Sequence, residues 1–234
     1  MTKENLTSIN VIIDASGSMQ DLTNDTIGSF NAFLEEQRAV PGEAMFTLCT
    51  FNTDYRLLHD CVILRNVPNL DPKAYHPNGG TALLDAMGVT MTTVGDKLAA
   101  MPEDERPSKV IFLVMTDGEE NSSKRYTLPQ IQAMVAHQRE KYSWEFVFMG
   151  ANIDAIQAGT SLSVSAANSM NYDFSPAGTR DVYKTASSNL RSYRLGSSKQ
   201  VDFFKQTEAV PTTPPDTTTP VIPTVPSKGT PTKP

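Results

Sequence analysis

Two apolar runs that each end in an aspartate constrain the fold more than any other feature of the chain. Residues 11–13 read Val-Ile-Ile and lead into Asp14, while residues 110–115 read Val-Ile-Phe-Leu-Val-Met and lead through Thr116 into Asp117. Continuous apolar runs of this kind are typical of strands buried on both faces, as in parallel sheets covered by helices on both sides. We therefore expect two central strands whose carboxyl ends carry acidic side chains.

Strand and helix signals alternate from about residue 8 to residue 195. Apolar residues at helical spacing predict helices over residues 22–39 and 83–98. Two further strands, over residues 44–51 and 56–64, are joined by only four residues, which predicts an antiparallel hairpin. This order predicts a doubly wound, mostly parallel α/β sheet of Rossmann-like type, with one antiparallel edge strand and helices on both faces.

The second half of the chain continues the alternation. Residues 127–130, Thr-Leu-Pro-Gln, have the form of a helix capping box with proline in the first turn. A strand over residues 144–149 follows, then a short helix for which Asn152 is a candidate cap, and a weak strand within residues 165–172. Ser175 and the proline after it predict the start of a last helix.

The composition changes after about residue 206. Of the 28 residues from 207 to 234, eight are Pro and nine are Thr. Such a segment cannot bury enough apolar area to offset chain entropy, so we expect an extended, polyproline-like tail that acts as a tether or as a docking peptide for a groove-type receptor. We predict one domain over residues 1–200 and a disordered tail over residues 207–234.

Charge and cysteine content exclude several classes of protein. The net charge of -6 disfavours nucleic acid and anionic membrane surfaces as partners. No apolar stretch is long enough for a membrane span, and the N-terminus lacks a signal-peptide pattern, so we expect a cytoplasmic protein. Cys49 and Cys61 are expected to be buried thiols, with a disulfide across the hairpin as the alternative. Three scattered histidines without a CxxC motif do not predict a structural zinc site.

Five side chains with oxygen donors are expected to meet at one edge of the sheet. In an open parallel sheet, ligands collect beyond the carboxyl ends of the strands. Carboxylate and hydroxyl oxygens suit Mg²⁺, Mn²⁺ or Ca²⁺ and are poor ligands for zinc or copper. The set would leave a coordination position open for an anionic oxygen from outside. The five residues are Asp14, Ser16, Ser18, Thr81 and Asp117.

These residues resemble the metal-ion-dependent adhesion site of von Willebrand factor A domains. The resemblance lies in the D-x-S-x-S run from Asp14 to Ser18, in Thr81 after two glycines, and in Asp117-Gly118 after an apolar strand, and it covers about residues 8–195. It implies a protein-binding module in which Ser16, Ser18 and Thr81 ligate the ion. It also implies that Asp14 and Asp117 hold waters and charge. By the same resemblance, a Glu or Asp of the partner would fill the open position. The expected lack of flanking disulfides and of a signal peptide makes the chain most similar to the bacterial intracellular members of the family.

Simpler interpretations of the same residues stay open. Asp14 can cap the turn that follows it, and Thr81 can be an ordinary helix N-cap. Glu119 and Glu120 are interpreted as solvated surface residues. His76 is interpreted as a loop residue, with a place at the rim of the site as the alternative.

Two other functions are compatible with parts of the sequence. A structural or assembly component anchored by its Pro/Thr tail, for instance in a phage particle, is one alternative, and a partnership with an AAA+ ATPase is implied only by analogy with the family. A metal-dependent phosphohydrolase of the haloacid-dehalogenase type needs D-x-D after its first strand, where this chain has Ser16 in place of the second Asp, and no P-loop motif is present, so we do not expect an enzyme. Because the site is expected to face solvent, replacing Asp14 or Ser16 by alanine is expected to spare the fold.

Overall fold

The computed structural model describes residues 2–196 and 203–204, and these form one six-stranded sheet flanked by five helices. The strands are β1 (Lys3–Asp14), β2 (Glu43–Phe51), β3 (Tyr55–Ile63), β4 (Pro107–Thr116), β5 (Glu145–Gly150) and β6 (Ser169–Asn171). The helices are α1 (Thr23–Arg38), α2 (Leu83–Ala100), α3 (Leu128–Tyr142), α4 (Ala155–Ser161) and α5 (Pro176–Leu195). Among the described residues, no helix is both long and apolar enough to cross a membrane. The predicted tail over residues 207–234 lies outside the described residues.

The strand order is β3-β2-β1-β4-β5-β6, and only the pairing of β2 with the edge strand β3 is antiparallel. The predicted fold class is therefore confirmed. The chain leaves β1 toward β2 on one side and returns to β4 on the other side, so the direction of winding reverses between β1 and β4. Ligands of doubly wound sheets bind at the carboxyl ends of the strands at such a point.

Side chains of the central strands alternate between two hydrophobic layers. On β1, Ile9 and Ile13 point to the layer that contains α1 and α5, whereas Ile12 points to the layer of α2, α3 and α4. All three are fully buried. The period of two follows from strand geometry, and it explains why both faces of this strand are apolar in the sequence.

Three local expectations need correction. The strand β1 begins at Lys3 rather than at residue 8. The sequence does not reveal this early start, because the first three residues of the strand are exposed and carry no apolar pattern. The cap of α4 is Asp154, whose carboxylate accepts hydrogen bonds from two backbone N–H groups, whereas Asn152 adopts a left-handed φ of 55°. Cys61 is only half-buried, and both cysteines are free thiols.

Helix ends otherwise match the expected cap chemistry. The predicted capping box is present at Thr127 and Gln130, and the Ser175 side chain accepts a hydrogen bond from the N–H of Gly178 at the start of α5. The weak strand predicted within residues 165–172 is β6, which has only three residues.

Candidate functional site

The loop after β1 places Asp14 at the carboxyl edge of the sheet, the edge at which the parallel strands end. The Asp14 carboxylate accepts a hydrogen bond from the Ser16 N–H (2.7 Å) at one oxygen and from the Thr116 hydroxyl (2.6 Å) at the other. The first bond closes a turn of the kind that Asp favours, so the capping interpretation of Asp14 describes part of its role. The turn directs Ser16 and Ser18 back toward the neighbouring strand.

The carboxylate of Asp117 meets both serine hydroxyls. Its Oδ1 accepts a hydrogen bond from Ser18 Oγ at 2.8 Å and a longer one from Ser16 Oγ at 3.4 Å, and the two serine oxygens lie 3.0 Å apart. The other oxygen, Oδ2, is buried and has no hydrogen-bond partner among the described residues. A buried carboxylate oxygen without a partner is energetically costly, so it marks a place where a cation or water is needed.

The loop that carries Thr81 packs against both of these segments. The Gly17 N–H donates to the Gly79 carbonyl (3.0 Å), and the Asn121 N–H donates to the Thr81 carbonyl (3.0 Å). The Thr81 hydroxyl lies 3.9 Å from the point that a Cβ on Gly118 would occupy. The structure thus brings all five candidate residues to one place from three separate stretches of the chain.

The two glycines before Thr81 allow this close approach. Gly79 has a φ of +72°, and a Cβ there would lie 2.8 Å from Thr53 Oγ1. A Cβ on Gly80 would lie 2.1 Å from Ser122 Oγ. Gly79 thus has a backbone conformation that other residues rarely adopt, and a side chain on Gly80 would have to displace Ser122, so the Gly-Gly pair favours the position of Thr81.

Four of the five candidate residues are buried, and only Ser18 is exposed. The expectation of a solvent-facing site is therefore wrong for Asp14, which is fully buried. Burial raises the pKa of Asp14 to about 6, against the lowering effect of its hydrogen bonds and with a small further rise from Asp117. Burial also raises the pKa of Asp117 above its ordinary value. Two neighbouring carboxyl groups that resist ionisation would be stabilised as carboxylates by a cation.

Comparison with known proteins reveals similarity only at the level of structure. No family model matches the chain, and no curated protein matches it. A von Willebrand factor type A structure from Catenulispora acidiphila superposes with a TM-score of 0.53 at 15% identity, covering 81% of this chain and 43% of that one. Proximal thread matrix protein 1 from the mussel byssus superposes with a TM-score of 0.56 at 14% identity, covering 82% and 46%. A second crystal form of that protein gives 0.54.

The chain has a von Willebrand factor A fold. It spans less than half the length of these solved structures. At such low identity the similarity concerns the fold alone, so the chemistry of the site has to be argued from its own residues.

The donor set of the site suits a hard divalent cation. No cluster of three or more His, Cys, Asp or Glu at ligating distance occurs among the residues that the structure describes, so hydroxyl groups would have to supply part of the coordination. Ser16, Ser18 and Thr81 offer such groups beside Asp117, whose Oδ2 lacks a partner. Hydroxyl and carboxylate oxygens are ligands for Mg²⁺, Mn²⁺ or Ca²⁺. The residues present therefore fit a metal of this class.

Several residues that hold the site in place are not evident from the sequence pattern. Thr116 ends an apolar strand, and its hydroxyl is a hydrogen-bond partner of Asp14; the only signal for this role in the sequence is that a single polar residue follows the apolar run. Glu120 is not a solvated residue, because its carboxylate accepts hydrogen bonds from the N–H groups of Leu84, Ser122 and Ser123. Thr81 is not the N-cap of α2, which begins at Leu83 after Ala82.

His76 lies beside the site rather than in it. It is exposed and lines a cavity of about 210 Å³ together with Ala15, Asp54 and Arg56. Ala15 directly follows Asp14, so this cavity adjoins the candidate site at the carboxyl edge. The alternative that places His76 at the rim agrees with this position.

Proposed function

We propose that this protein is a divalent-metal-dependent protein-binding module. The observation that carries the proposal is the buried, unpartnered Oδ2 of Asp117 within a cluster of two carboxylates and three hydroxyls. The von Willebrand factor A fold is in general suited to protein interaction, and the site lies where doubly wound sheets bind ligands.

Each residue has a role in this proposal. Ser16, Ser18 and Thr81 would ligate the ion, most simply Mg²⁺, while Asp14 and Asp117 would hold its waters and balance its charge. When bound, the ion supplies a Lewis-acidic position that accepts a carboxylate oxygen. The proposed partner is therefore a protein with an accessible Glu or Asp, and an AAA+ ATPase or an assembly complex belongs to that class.

Binding is favoured over catalysis by what the sequence lacks. Ser16 occupies the position at which a D-x-D phosphohydrolase carries its second carboxylate, which acts as general acid and base. Asp14 itself is fully buried and holds the Ser16 turn and Thr116, so it is poorly placed to attack a substrate. We therefore propose no reaction for this site.

Calorimetric titration with Mg²⁺ and Mn²⁺ tests the metal site directly. Ser18→Ala and Asp117→Asn are expected to weaken binding by roughly tenfold or more, the usual effect of removing a metal ligand or its support. Ser18 is exposed, so its replacement should leave the fold unchanged. Ser192→Ala on α5 and Asp96→Asn on α2 are matched exposed controls and should bind like the wild type. Equal affinity in all five proteins would refute the assignment.

Binding of a partner is tested separately. A protein captured by the immobilised chain in Mg²⁺ should be released by EDTA and should not be captured by the Ser18→Ala variant. Capture that persists in EDTA at full strength would place the interaction on another surface.

A further inference from the structure

A groove beside the candidate site has an apolar floor and an acidic rim. It has a volume of about 380 Å³ and lies between the amino-terminal ends of α2 and α3 and one face of α4. Its floor includes Leu84, Phe148, Ile153 and Leu162. We call it the α4 groove.

The apolar surface extends beyond the floor of the groove. Leu128 at the start of α3 lines the groove and is 38% exposed. It is one of five large hydrophobic side chains that are exposed in the described part of the chain. An exposed apolar side chain that lines an apolar groove enlarges the apolar surface that an occupant can cover.

The charges around the α4 groove have one sign. Glu119, Glu120 and Asp154 line it, and none of its described lining residues is Lys or Arg. Glu120 and Asp154 accept hydrogen bonds from backbone N–H groups, which fixes their carboxylates at the rim. Glu119 is exposed. An occupant should therefore combine apolar side chains with positive charge.

The chain itself carries a segment with this chemistry. Residues 220–233, which we call the apolar-basic segment, read Pro-Val-Ile-Pro-Thr-Val-Pro-Ser-Lys-Gly-Thr-Pro-Thr-Lys. It contains Val221, Ile222 and Val225 followed by Lys228 and Lys233, and it has no acidic residue. Its four prolines restrict the free chain, which lowers the entropy lost on docking.

The end of the described chain lies close enough for the segment to reach the groove. The Phe204 N–H donates to the Ala167 carbonyl at 2.8 Å. Ala167 follows the groove residue Leu162 by five residues, so their Cα atoms are at most about 19 Å apart. Residues 205–219 can span up to roughly 50 Å when extended. The tether is therefore longer than the gap.

We infer that the apolar-basic segment docks in the α4 groove of its own chain. Tethering gives it an effective concentration on the order of millimolar, so even a weak site is occupied. Val221, Ile222 and Val225 cover the exposed apolar surface, while the two lysines face the acidic rim. Because Gly118 and Glu119 line the groove and directly follow Asp117, the docked segment lies beside the candidate metal site and competes with a partner for that edge.

Amide hydrogen exchange in the full-length chain tests this inference. In the double variant Ile222→Asp/Val225→Asp, we expect exchange over residues 153–162 and 118–120 to be roughly threefold faster or more than in the wild type, because those amides lose their cover. The matched control, Thr217→Asp/Thr218→Asp, adds the same charge to the tail outside the segment and should behave like the wild type. Exchange over residues 182–190 of α5 should not change in any variant.

A peptide of residues 218–234 completes the test. Added at millimolar concentration to the Ile222→Asp/Val225→Asp chain, it should restore slow exchange around the groove, and Glu119→Lys should weaken this effect. The inference is overturned if exchange around the groove is the same in all three chains, if the affected amides lie elsewhere, or if the protection depends on protein concentration, which would indicate docking between copies. The measurement is made in EDTA, so it does not depend on whether the metal site is correct.

Discussion

The proposed function depends on the neighbouring carboxyl groups of Asp14 and Asp117. Each is buried, and burial raises the pKa of both, so the protein without a cation holds them at a cost in stability. A divalent ion would remove this cost, because it would favour the ionised form of both groups. Stability and ion binding should therefore be coupled through pH.

The pH dependence of stability has a definite sign at Asp14. Its pKa is 3.8 when unfolded and about 6 when folded, so the folded protein holds the proton more tightly and loses stability as the pH rises from 4 through 6. The loss relative to Asp14→Asn should approach about 3 kcal/mol near neutral pH. Urea unfolding of both proteins in EDTA measures it. If the free energies of unfolding of the two proteins changed with pH in parallel, burial would not raise the pKa of Asp14.

Two helical glycines provide a matched pair at the element scale. A Cβ on Gly28 in α1 would meet nothing within 4 Å, whereas a Cβ on Gly88 in α2 would lie 2.6 Å from the ring of Tyr126. Gly28→Ala should stabilise the protein by about 1 kcal/mol through helix propensity. Gly88→Ala should destabilise it by about 1–2 kcal/mol, because the ring must move. Thermal unfolding of both variants gives the comparison, and equal shifts would show that the Tyr126 contact is unimportant.

The last helix is held at its carboxyl end by a buried lysine. The Lys109 ammonium on β4 donates hydrogen bonds to the carbonyls of Tyr193 and Arg194 and also to that of Gly196. These carbonyls have no partner within the helix, and the cation also interacts favourably with the helix dipole. This contact fixes α5 against the sheet at the end opposite the candidate site.

Replacing this lysine should loosen the last helix. Lys109→Met keeps the apolar stem but leaves the carbonyls without their donor, so we expect a loss of about 2–3 kcal/mol in the free energy of unfolding. Lys184→Met, an exposed lysine of the same helix, should change it by less than about 0.5 kcal/mol. Urea denaturation of both variants measures the two changes in the free energy of unfolding. If the two losses are equal, the carbonyl contacts do not stabilise α5.

At the scale of the whole molecule, the folded unit extends past α5. Phe203 is buried in the hydrophobic layer shared by α1 and α5, and its N–H donates to the Asn168 side chain at 2.8 Å. That side chain in turn donates to Glu145 at the start of β5. The domain boundary predicted near residue 200 therefore falls just before a residue that belongs to the core.

Phe203 should accordingly contribute to global stability. Phe203→Ala should lower the free energy of unfolding by about 3 kcal/mol, as expected for a large side chain removed from a core. Phe204→Ala should cost clearly less, because Phe204 is only partly buried. Chemical denaturation of the two variants tests the order. A larger loss for Phe204→Ala would contradict the position of the boundary.

The amino-acid sequence by itself determined the order of strands and helices, the antiparallel edge strand and the convergence of Asp14 and Asp117. These follow from local periodicity and from the rule that parallel strands end at one edge. Only the tertiary structure decided that Thr116 is the partner of Asp14, since the two are separated by 102 positions and no local pattern links them. It also decided that Glu120 accepts a hydrogen bond from the Leu84 N–H in the first turn of α2, that Asp14 is buried and that Phe203 joins the core. Burial and hydrogen-bond pairing depend on which segments pack together, and that information is absent from the spacing of residues along the chain.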